Sequence, residues 1–357
     1  MECITRNDAY YSSDMVTALQ KSNLQFNTMD ISVIITCYNE EKNIQECLNS
    51  LVCQTYPDDK YEIIVADGGS KDRTQDIVNE LVQTYHNINL VVEPKKGTAA
   101  GRNAGIRAAK HDYIAFIDAD CEAPQNWLET LVKQYQNILL TDKNVIAVGG
   151  TNIPPENANG FLQAIGIALD SYLGSFGSVQ GRQFKEPMHV SSLSNLNVLY
   201  DKQKIIDVGY YDESLVSEAE DADINYRLFA AGNRFLFIPN SFVWHKMRPT
   251  PKTWLKNMFR YGKGRARLLK RYPQMWAVSF ALPLLFIAAI SALFFTPFSN
   301  IFSLPAIYFP VLLCFSLYMC IKKRRPELVL HVMLVYLIQH FGYASGEAYG
   351  LLHTKVK

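Results

Sequence analysis

The stretch Tyr113-Ile114-Ala115-Phe116-Ile117-Asp118-Ala119-Asp120 decides the fold, because an apolar run of strand length ends there on two aspartates. Such a run is typical of a strand that is buried on both faces. Side chains alternate along a strand, so the two carboxylates should point to the same side just past its end. An Asp-x-Asp pattern alone is close to a chance match in 357 residues. Its position after a buried strand makes it informative.

Buried-strand patterns alternate with helical stretches around this run. The predicted strands are residues 31–37, 61–66, 88–92 and 113–117, with a strand-like run at 145–149. The predicted helices cover about 39–52, 72–85, 98–110 and 127–140. This order predicts an α/β domain with a mostly parallel sheet covered by helices. Ligands of such sheets bind beyond the carboxyl ends of the strands.

Three polar residues follow strand ends and should meet in one crevice: Asn39, Asp67 and Asp118. The carboxylates of Asp118 and Asp120 suit Mg²⁺ or Mn²⁺, ions that usually complete their shells with water and substrate phosphates. A surface turn is the alternative for this pair. Asp67 could accept a hydrogen bond from a base N–H, since the glycines after it allow a flat group to approach closely. The alternative is a plain turn into the next helix, capped by Asp72.

Other charged residues could act on a ligand in the same crevice. The groups that could pair with a diphosphate are Lys95, Lys96 and Arg102, next to Asn103. A second acidic cluster contains Glu220 and Asp221, and a carboxylate there could take a proton from an attacking hydroxyl. The alternatives are solvated charges for the first group and acids at a helix N-terminus for the second.

Charge is balanced over the whole chain, with 35 Lys+Arg against 34 Asp+Glu, so no global field directs it toward nucleic acid. Charge becomes sparse after about Arg271. A length of 357 residues predicts about two structural units. Residues 1–30 have no apolar central stretch of the kind found in signal peptides, so we expect the soluble part to remain in the cytoplasm.

The C-terminal part carries membrane signals. A basic segment from Lys252 to Arg271 is interleaved with apolar residues, which suits a helix lying on anionic headgroups or, alternatively, a solvated helix face. Apolar runs at 275–296 and 301–321 are long enough to span a bilayer, and 328–352 is a weaker third. Basic residues flank the first two runs, so the positive-inside rule predicts a hairpin with both flanks in the cytoplasm. The C-terminus would then lie outside if the third run crosses; the alternative for that run is a buried soluble helix.

Five motifs in a fixed order make the sequence recognisable: TCYNE (36–40), ADGGS (66–70), GRNAG (101–105), FIDAD (116–120) and EDADINYRL (220–228). Over about residues 31–250 this set resembles the family 2 glycosyltransferases, which have the GT-A fold. A further segment, GYYDE at 209–213, resembles the Gly-Gly-Phe-Asp-Glu segment of that family. A catalytic part followed by membrane spans is similar to the succinoglycan-type (ExoA-like) membrane-anchored enzymes.

The resemblance implies a role for each matching residue. Asp67 would hold the base, and Asp118 would lie near the ribose or base. Asp120 would bind the metal, and Asp221 would be the catalytic base. His245 falls where some relatives place a further metal or diphosphate contact, although a core or surface histidine is equally consistent. With the cations named above, the donor pocket would contain Thr36, Tyr38, Asn39 and Glu40.

The sequence departs from the family pattern at two places. Gly68 stands where the family often has a second aspartate. Residues 257–261 keep the arginine (Arg260) and an aromatic residue (Tyr261) of the Gln-x-x-Arg-Trp motif of processive members, but they lack the glutamine. This difference argues against a processive mechanism. Candidate contacts of the acceptor or the diphosphate are Glu220, Arg260 and Tyr261.

The resemblance implies an inverting, Mn²⁺- or Mg²⁺-dependent glycosyltransferase that moves a sugar from a UDP- or GDP-sugar to a lipid-linked saccharide or polysaccharide. It would work at the cytoplasmic face of the cell membrane, in contact with membrane lipid and without nucleic acid. The alternative is a polyprenyl-phosphate glycosyltransferase of the dolichyl-phosphate-mannose synthase type, whose anionic acceptor needs little help from a base. A donor-binding or scaffold subunit without activity is a third hypothesis. The implied units are an N-terminal extension (1–30), a GT-A domain (31–250), a basic interfacial segment (251–273) and a membrane domain of two to three helices (274–357).

Overall fold

The computed structural model of the chain describes residues 28–247, 249–276 and 278–354, so only residues 28–30 of the predicted N-terminal extension are described. Strands of this part of the chain form one nine-stranded sheet. They are β1 (Ile31–Cys37), β2 (Tyr61–Asp67), β3 (Ile88–Val92), β4 (Tyr113–Asp118), β5 (Cys121–Glu122), β6 (Val145–Ile153), β7 (Met188–Val190), β8 (Val198–Asp201) and β9 (Arg234–His245).

The helices cover the sheet and then continue into the apolar C-terminal part. Those of the soluble domain are α1 (Ile44–Val52), α2 (Thr74–Thr84), α3 (Thr98–Ala108), α4 (Trp127–Leu139), α5 (Gly160–Leu169), α6 (Tyr172–Ser175), α7 (Lys202–Asp207) and α8 (Glu220–Ala230). The C-terminal helices are α9 (Pro251–Arg271), α10 (Val278–Ser291), α11 (Tyr308–Lys322) and α12 (Val329–His353). The strands and helices predicted before residue 150 are confirmed, although the first helix begins later than predicted, at Ile44.

The strand order is β3-β2-β1-β4-β8-β6-β9-β5, and β7 also pairs with β9. β1 lies between β2 and β4 and is parallel to both. In this register Cys37 pairs with Asp67 and Thr36 pairs with Asp118, so the polar residues at the strand ends are neighbours. β8 is antiparallel to both β4 and β6, which makes the sheet mixed. The predicted α/β class with a mostly parallel sheet is confirmed.

Two layers of buried apolar side chains flank the sheet. Along β1, Val33 and Ile35 belong to one layer and Ile34 belongs to the other, as strand alternation requires. α3 lies close to the second face because Gly105 stands opposite Ile34, where a Cβ at Gly105 would be 2.4 Å from Cγ2 of Ile34. This close approach carries Arg102, one turn earlier on α3, to the carboxyl ends of the strands.

The basic segment forms one long helix, α9, which is packed against α12. The side chains of Trp254, Met258 and Leu268 are buried in the protein, whereas Leu255 and Tyr261 of the same helix are exposed. Backbone touches backbone along this pair, since a Cβ at Gly346 would lie 2.0 Å from the carbonyl oxygen of Phe259. α9 is therefore a structural link between the soluble domain and the apolar helices.

Two C-terminal segments are long and apolar enough to cross a membrane, Asn300–Lys322 and Pro326–His353. They correspond to the second and third predicted runs. The first predicted run, 275–296, contains α10 and the 3₁₀ turn Ala292–Phe295 that follows it. Among the side chains that the structure describes, its apolar helical part covers Phe280–Phe295.

α12 is held against the soluble domain near both of its ends. In its first half, the Tyr336 hydroxyl lies 3.0 Å from Oγ of Ser171. Just past its last residue, Lys270 of α9 donates from Nζ to the carbonyl oxygen of Thr354 at 2.8 Å. α12 therefore runs along the domain rather than away from it.

Candidate active site

Asp118 is the last residue of β4, and Asp120 follows it two residues later. His245, the last residue of β9, lies beside Asp120. Nε2 of His245 lies 3.4 Å from Oδ1 of Asp120. The antiparallel pairing of β5 with β9 sets Cys121 opposite His245 and fixes this approach. Asp120, Cys121 and His245 form a group whose ligand atoms lie within 4.8 Å of one another. Burial and the neighbouring Asp120 carboxylate hold the pKa of the Cys121 thiol well above its usual range, so the thiol is protonated without a metal.

Asn152 on β6 sets the orientation of the His245 ring. Its Nδ2 lies 3.1 Å from Nδ1 of His245, while its Oδ1 is buried without a hydrogen-bond partner. With the amide oxygen turned toward the ring, Nδ1–H would donate to Oδ1 of Asn152. That tautomer would leave the lone pair of Nε2 facing Asp120, as a metal ligand requires. The donor set of one carboxylate and one imidazole fits Mn²⁺.

Arg102 on α3 joins the two acidic clusters that the sequence analysis singled out. Its side chain is 4% exposed, and its guanidinium lies 3.1 Å from Oε1 of Glu220 and 3.6 Å from Oδ1 of Asp118. It also donates to the carboxylate of Asp221. Buried charges require such pairing. Because these carboxylates occupy the guanidinium, the predicted contact with a diphosphate would require Arg102 to release one of them.

Asp221 lies at the N-terminal end of α8, and its side chain is 33% exposed. Asn195 donates from Nδ2 to Oδ1 of Asp221 at 2.9 Å. The same amide group donates to the hydroxyl of Tyr211 at 2.8 Å, which fixes Asn195 in turn. Asp221 is therefore a partly exposed carboxylate that is held in one orientation by Arg102 and Asn195.

Glu220 precedes Asp221 but has a different environment. Burial, reinforced by the neighbouring Asp221 carboxylate, raises the pKa of Glu220 to about 7 against the lowering effect of Arg102. Glu220 thus retains its proton over much of the acidic range. The two adjacent carboxyl groups therefore differ in their access to solvent: Glu220 is buried and Asp221 is partly exposed.

Asp67 is buried and organises the turn after β2. Its Oδ2 accepts from the backbone N–H groups of Gly69 and Ser70 at 3.0 and 2.8 Å, and from Nε2 of Gln75 at 2.6 Å. Gly69 has a φ of 75°, in the left-handed region that favours glycine. These bonds form a turn from β2 into α2, which was the alternative to a base-binding role for Asp67. The predicted base N–H would reach Asp67 by replacing one of them, most simply the Gln75 amide.

The segment after β1 lies beside this turn. Oδ1 of Asn39 accepts from the backbone N–H of Lys71 at 2.8 Å. Glu40 accepts from the amide of Asn43, and Tyr38 is half exposed at the surface of the segment. Thr36 packs against α3, with its Cγ2 3.1 Å from the Cβ position of Gly101. Tyr38 and Asn39 are therefore exposed, whereas Thr36 and Glu40 are only partly exposed.

Some predicted residues lie outside the charged network around Asp221. Nδ2 of Asn103 donates to Oε1 of Glu213 at 2.8 Å, so this amide fixes the loop before α8. Lys96 is exposed to solvent. Tyr261 is exposed on α9, and Nη2 of Arg260 donates to Oδ1 of Asn257 at 2.8 Å.

Sequence reasoning missed three residues that position the predicted ones: Gln75, Asn152 and Asn195. A signal existed for one of them. Asn152 follows an apolar strand run at 145–148, whereas Asn195 lies in the mixed segment SLSNLN at 192–197. A buried amide at the end of an apolar run needs a hydrogen-bond partner. The partner depends on strand pairing across distant parts of the chain, which the sequence alone does not supply.

Comparisons with known proteins place this geometry in a family. The family described as "Glycosyl transferase family 2" matches residues 32–172, and "Glycosyl transferase family group 2" matches residues 113–322. The chain is 35% identical over 239 residues to glycosyltransferase AglE of Haloferax volcanii, covering 67% of this chain and 73% of that protein.

A second relative comes from Methanococcus voltae and is named a dolichyl N-acetyl-alpha-D-glucosaminyl phosphate 3-beta-D-2,3-diacetamido-2,3-dideoxy-beta-D-glucuronosyltransferase. It is 24% identical over 88% of this chain and 96% of its own length. The mannosyltransferase PcManGT of Pyrobaculum calidifontis, solved with GDP-Man and Mn²⁺, superposes with a TM-score of 0.54 at 17% identity. That superposition covers 91% of this chain and 92% of the mannosyltransferase. The chain belongs to glycosyltransferase family 2 and is a glycosyltransferase with a GT-A catalytic domain.

Proposed function

We propose that the chain moves a sugar, with inversion, from a UDP- or GDP-sugar to a hydroxyl group of a lipid-linked saccharide. The observation that supports this most is the position of Asp221. Its carboxylate is partly exposed, is fixed by Arg102 and Asn195, and shares Arg102 with Asp118 at the end of β4. A hydroxyl is scarcely ionised near neutral pH, so its transfer chemistry needs a base in a fixed place.

Asp120 and His245 would hold the divalent metal. When bound, the ion would supply positive charge to the phosphates of the departing nucleoside diphosphate. Asn152 would keep Nε2 of His245 directed toward Asp120. The Mn²⁺ in the Pyrobaculum mannosyltransferase is consistent with this assignment, and its GDP-Man makes a guanosine donor as reasonable as a uridine donor.

In the proposed step, the acceptor hydroxyl gives its proton to Asp221 while its oxygen forms a bond to the anomeric carbon. The bond from that carbon to the diphosphate oxygen breaks on the opposite side, so the configuration inverts. Arg102 and Asn195 keep Asp221 oriented during the transfer. The turn at Asp67 and the segment 36–40 would hold the nucleotide.

Two acceptor classes remain to be compared. A polyprenyl phosphate is already anionic, so its transfer would depend little on Asp221. A saccharide hydroxyl would depend on it strongly. The Methanococcus relative is named for a dolichyl-linked N-acetylglucosaminyl phosphate, which supports a lipid-linked saccharide. The fixed carboxylate at residue 221 favours the same class.

We infer that α10 and α11 enter the membrane as a hairpin, with the soluble domain on the cytoplasmic side. The most exposed apolar side chains stand at the turn between these helices, where Phe294 and Phe298 are 84% and 82% exposed. The basic residues 322–325 and the basic helix α9 stand at the opposite end, as the positive-inside rule requires. The contacts near both ends of α12 would keep that helix beside the domain.

The test uses the purified full chain in detergent. UDP- and GDP-sugars are screened with Mn²⁺ or Mg²⁺, and release of the nucleoside diphosphate is followed with a polyprenyl-phosphate-linked sugar, with polyprenyl phosphate, or without acceptor. We expect release that requires the lipid-linked sugar and stops with EDTA. Release with polyprenyl phosphate that survives Asp221→Asn would support the alternative, and no release with any donor would contradict both.

A further inference from the structure

A cavity lined by charged residues lies between α9 and the segment that leads into α8. Its volume is about 380 Å³, and its walls are Leu215, Val216, Ser217, Glu218, Arg260, Lys263 and Arg267. The three cations are spaced by three and four residues, so they share one face of α9. Three positive charges in this wall meet the single negative charge of Glu218. The cavity therefore has a surplus of positive charge that suits an anion.

The walls of this cavity are held in place by specific contacts. Nζ of Lys263 lies 2.9 Å from Oε1 of Glu218. Gly264 brings α9 close to the opposite wall, since a Cβ there would be 3.0 Å from Cβ of Ala219. Val216 has a φ of 59°, which is an outlier for a β-branched residue. Such strain persists only where the surrounding structure fixes it, and here the Val216 carbonyl oxygen accepts from the backbone N–H of Ala99 at 3.1 Å.

Arg260 connects this cavity to the catalytic residues. Its Nε is buried and has no hydrogen-bond partner among the described residues. An unpaired donor is costly to leave buried, and Arg260 also lines the cavity, so a small shift of its side chain would let a bound anion accept from it. Arg260 is also close enough to Glu220 to lower the pKa of that carboxyl group. Glu220 in turn contacts Arg102, the partner of Asp221.

We propose that this cavity binds the phosphate group of the membrane-embedded acceptor lipid. Arginine and lysine side chains are the usual protein partners of phosphate. α9 leads directly into the proposed membrane hairpin, so its cationic face lies on the path from the lipid to the active site. Glu218 and Asp221 are three residues apart, which limits their Cα atoms to a separation of about 11 Å. A phosphate in this cavity therefore places a short saccharide, rather than a long glycan, beside Asp221. The inference rests on the proposed transfer to a lipid-linked acceptor.

Direct binding tests the site without relying on transfer. Farnesyl phosphate and farnesol are titrated into the full chain in detergent. We expect the triple variant Arg260→Gln, Lys263→Gln, Arg267→Gln to bind farnesyl phosphate at least about tenfold more weakly, with farnesol unaffected. A control variant, Lys252→Gln with Lys256→Gln, removes charge from the exposed face of the same helix and should bind like the unmodified chain. Equal binding by the triple variant and the control would overturn the proposal.

Two further measurements separate the remaining outcomes. If the triple variant unfolds at a lower temperature than the control, the single variant Lys263→Gln is titrated instead, and it must still weaken farnesyl phosphate binding. Vesicles of phosphatidylcholine with and without phosphatidylglycerol distinguish bulk lipid from the acceptor. A triple variant that loses only the response to phosphatidylglycerol would overturn the acceptor assignment. Binding of farnesyl phosphate that needs these cations, in a chain that transfers no sugar, would uphold the site and reject the proposed transfer.

Discussion

Arg102 and Asp221 are 119 residues apart in the chain and are bonded to each other in the fold. α3 brings the guanidinium to the strand ends, and the N-terminal end of α8 brings the carboxylate. Asp118 and Glu220 lie against the same guanidinium, so one buried cation compensates three acids. The position of the proposed base, Asp221, is thus fixed by Arg102 on α3.

Arg102→Gln should lower the free energy of unfolding by up to about 3 kcal/mol, because it leaves the buried Glu220 and the partly exposed Asp118 and Asp221 without their cation. Urea denaturation of the variant and the unmodified chain measures the difference. Arg107→Gln is the matched control, since Arg107 is exposed on the same helix and lies 3.5 Å from Glu213. A stability loss no larger than that of the control would contradict the central role of Arg102.

Asp221→Asn should lower kcat by about 10²–10⁴-fold, because the amide cannot take the acceptor proton. Donor binding should change little, since the variant keeps the size of the side chain and its Oδ1 can still accept from Arg102 and Asn195. Steady-state kinetics with the lipid-linked acceptor and titration of the nucleotide give the two quantities. Asp76→Asn, at an exposed position of α2, controls for the loss of a charge. An unchanged kcat would reject Asp221 as the base.

Asn152→Leu should weaken Mn²⁺ binding by about 10–100-fold, because the residue that orients a metal-binding histidine is lost. His245→Ala should weaken it further, while His189→Ala, at an exposed histidine on β7, should have no effect. The Mn²⁺ concentration that gives half-maximal turnover is the direct measurement. If Asn152→Leu and His189→Ala respond alike, Asn152 does not orient a metal ligand.

The fold was more predictable from the sequence than the site, because the strands follow from local runs whereas the site depends on contacts between distant parts of the chain. The strands and the aspartates at their ends can be predicted from short local runs such as 113–120, where a continuous apolar stretch ends on two aspartates. Arg102 was found as a cation, but its three acidic partners come from β4 and α8. Asn152 and His245 meet only because β6 and β9 pair. The apolar runs at 301–321 and 328–352 were also predictable from hydropathy, but hydropathy does not register the contacts that hold α12 beside the soluble domain.

Glu220→Gln should change how stability depends on pH. In the unfolded chain a glutamate ionises near its ordinary pKa of about 4.3, whereas the folded protein raises the pKa of Glu220 to about 7. Between these values unfolding releases a proton, so the contribution of Glu220 to stability falls as the pH rises. The glutamine variant lacks this pH-dependent contribution, because glutamine does not ionise. Urea denaturation at pH 5, 6, 7 and 8 should show the variant gaining stability relative to the unmodified chain up to about pH 7. A constant difference across this range would show that Glu220 is not buried as described.

Gly346→Ala tests the contact between α9 and α12. In an isolated helix, replacing glycine by alanine would stabilise by about 1 kcal/mol. Here the added Cβ would lie 2.0 Å from the backbone carbonyl oxygen of Phe259, so one helix must move. Overpacking of this kind typically costs about 1–3 kcal/mol, which outweighs the gain. Ser345→Ala, at the exposed neighbouring position, should not destabilise the protein. Thermal unfolding in detergent compares the two variants. A Gly346→Ala protein as stable as the Ser345→Ala protein would mean that α12 does not pack on α9, and that the helix is free to leave the soluble domain and cross the bilayer.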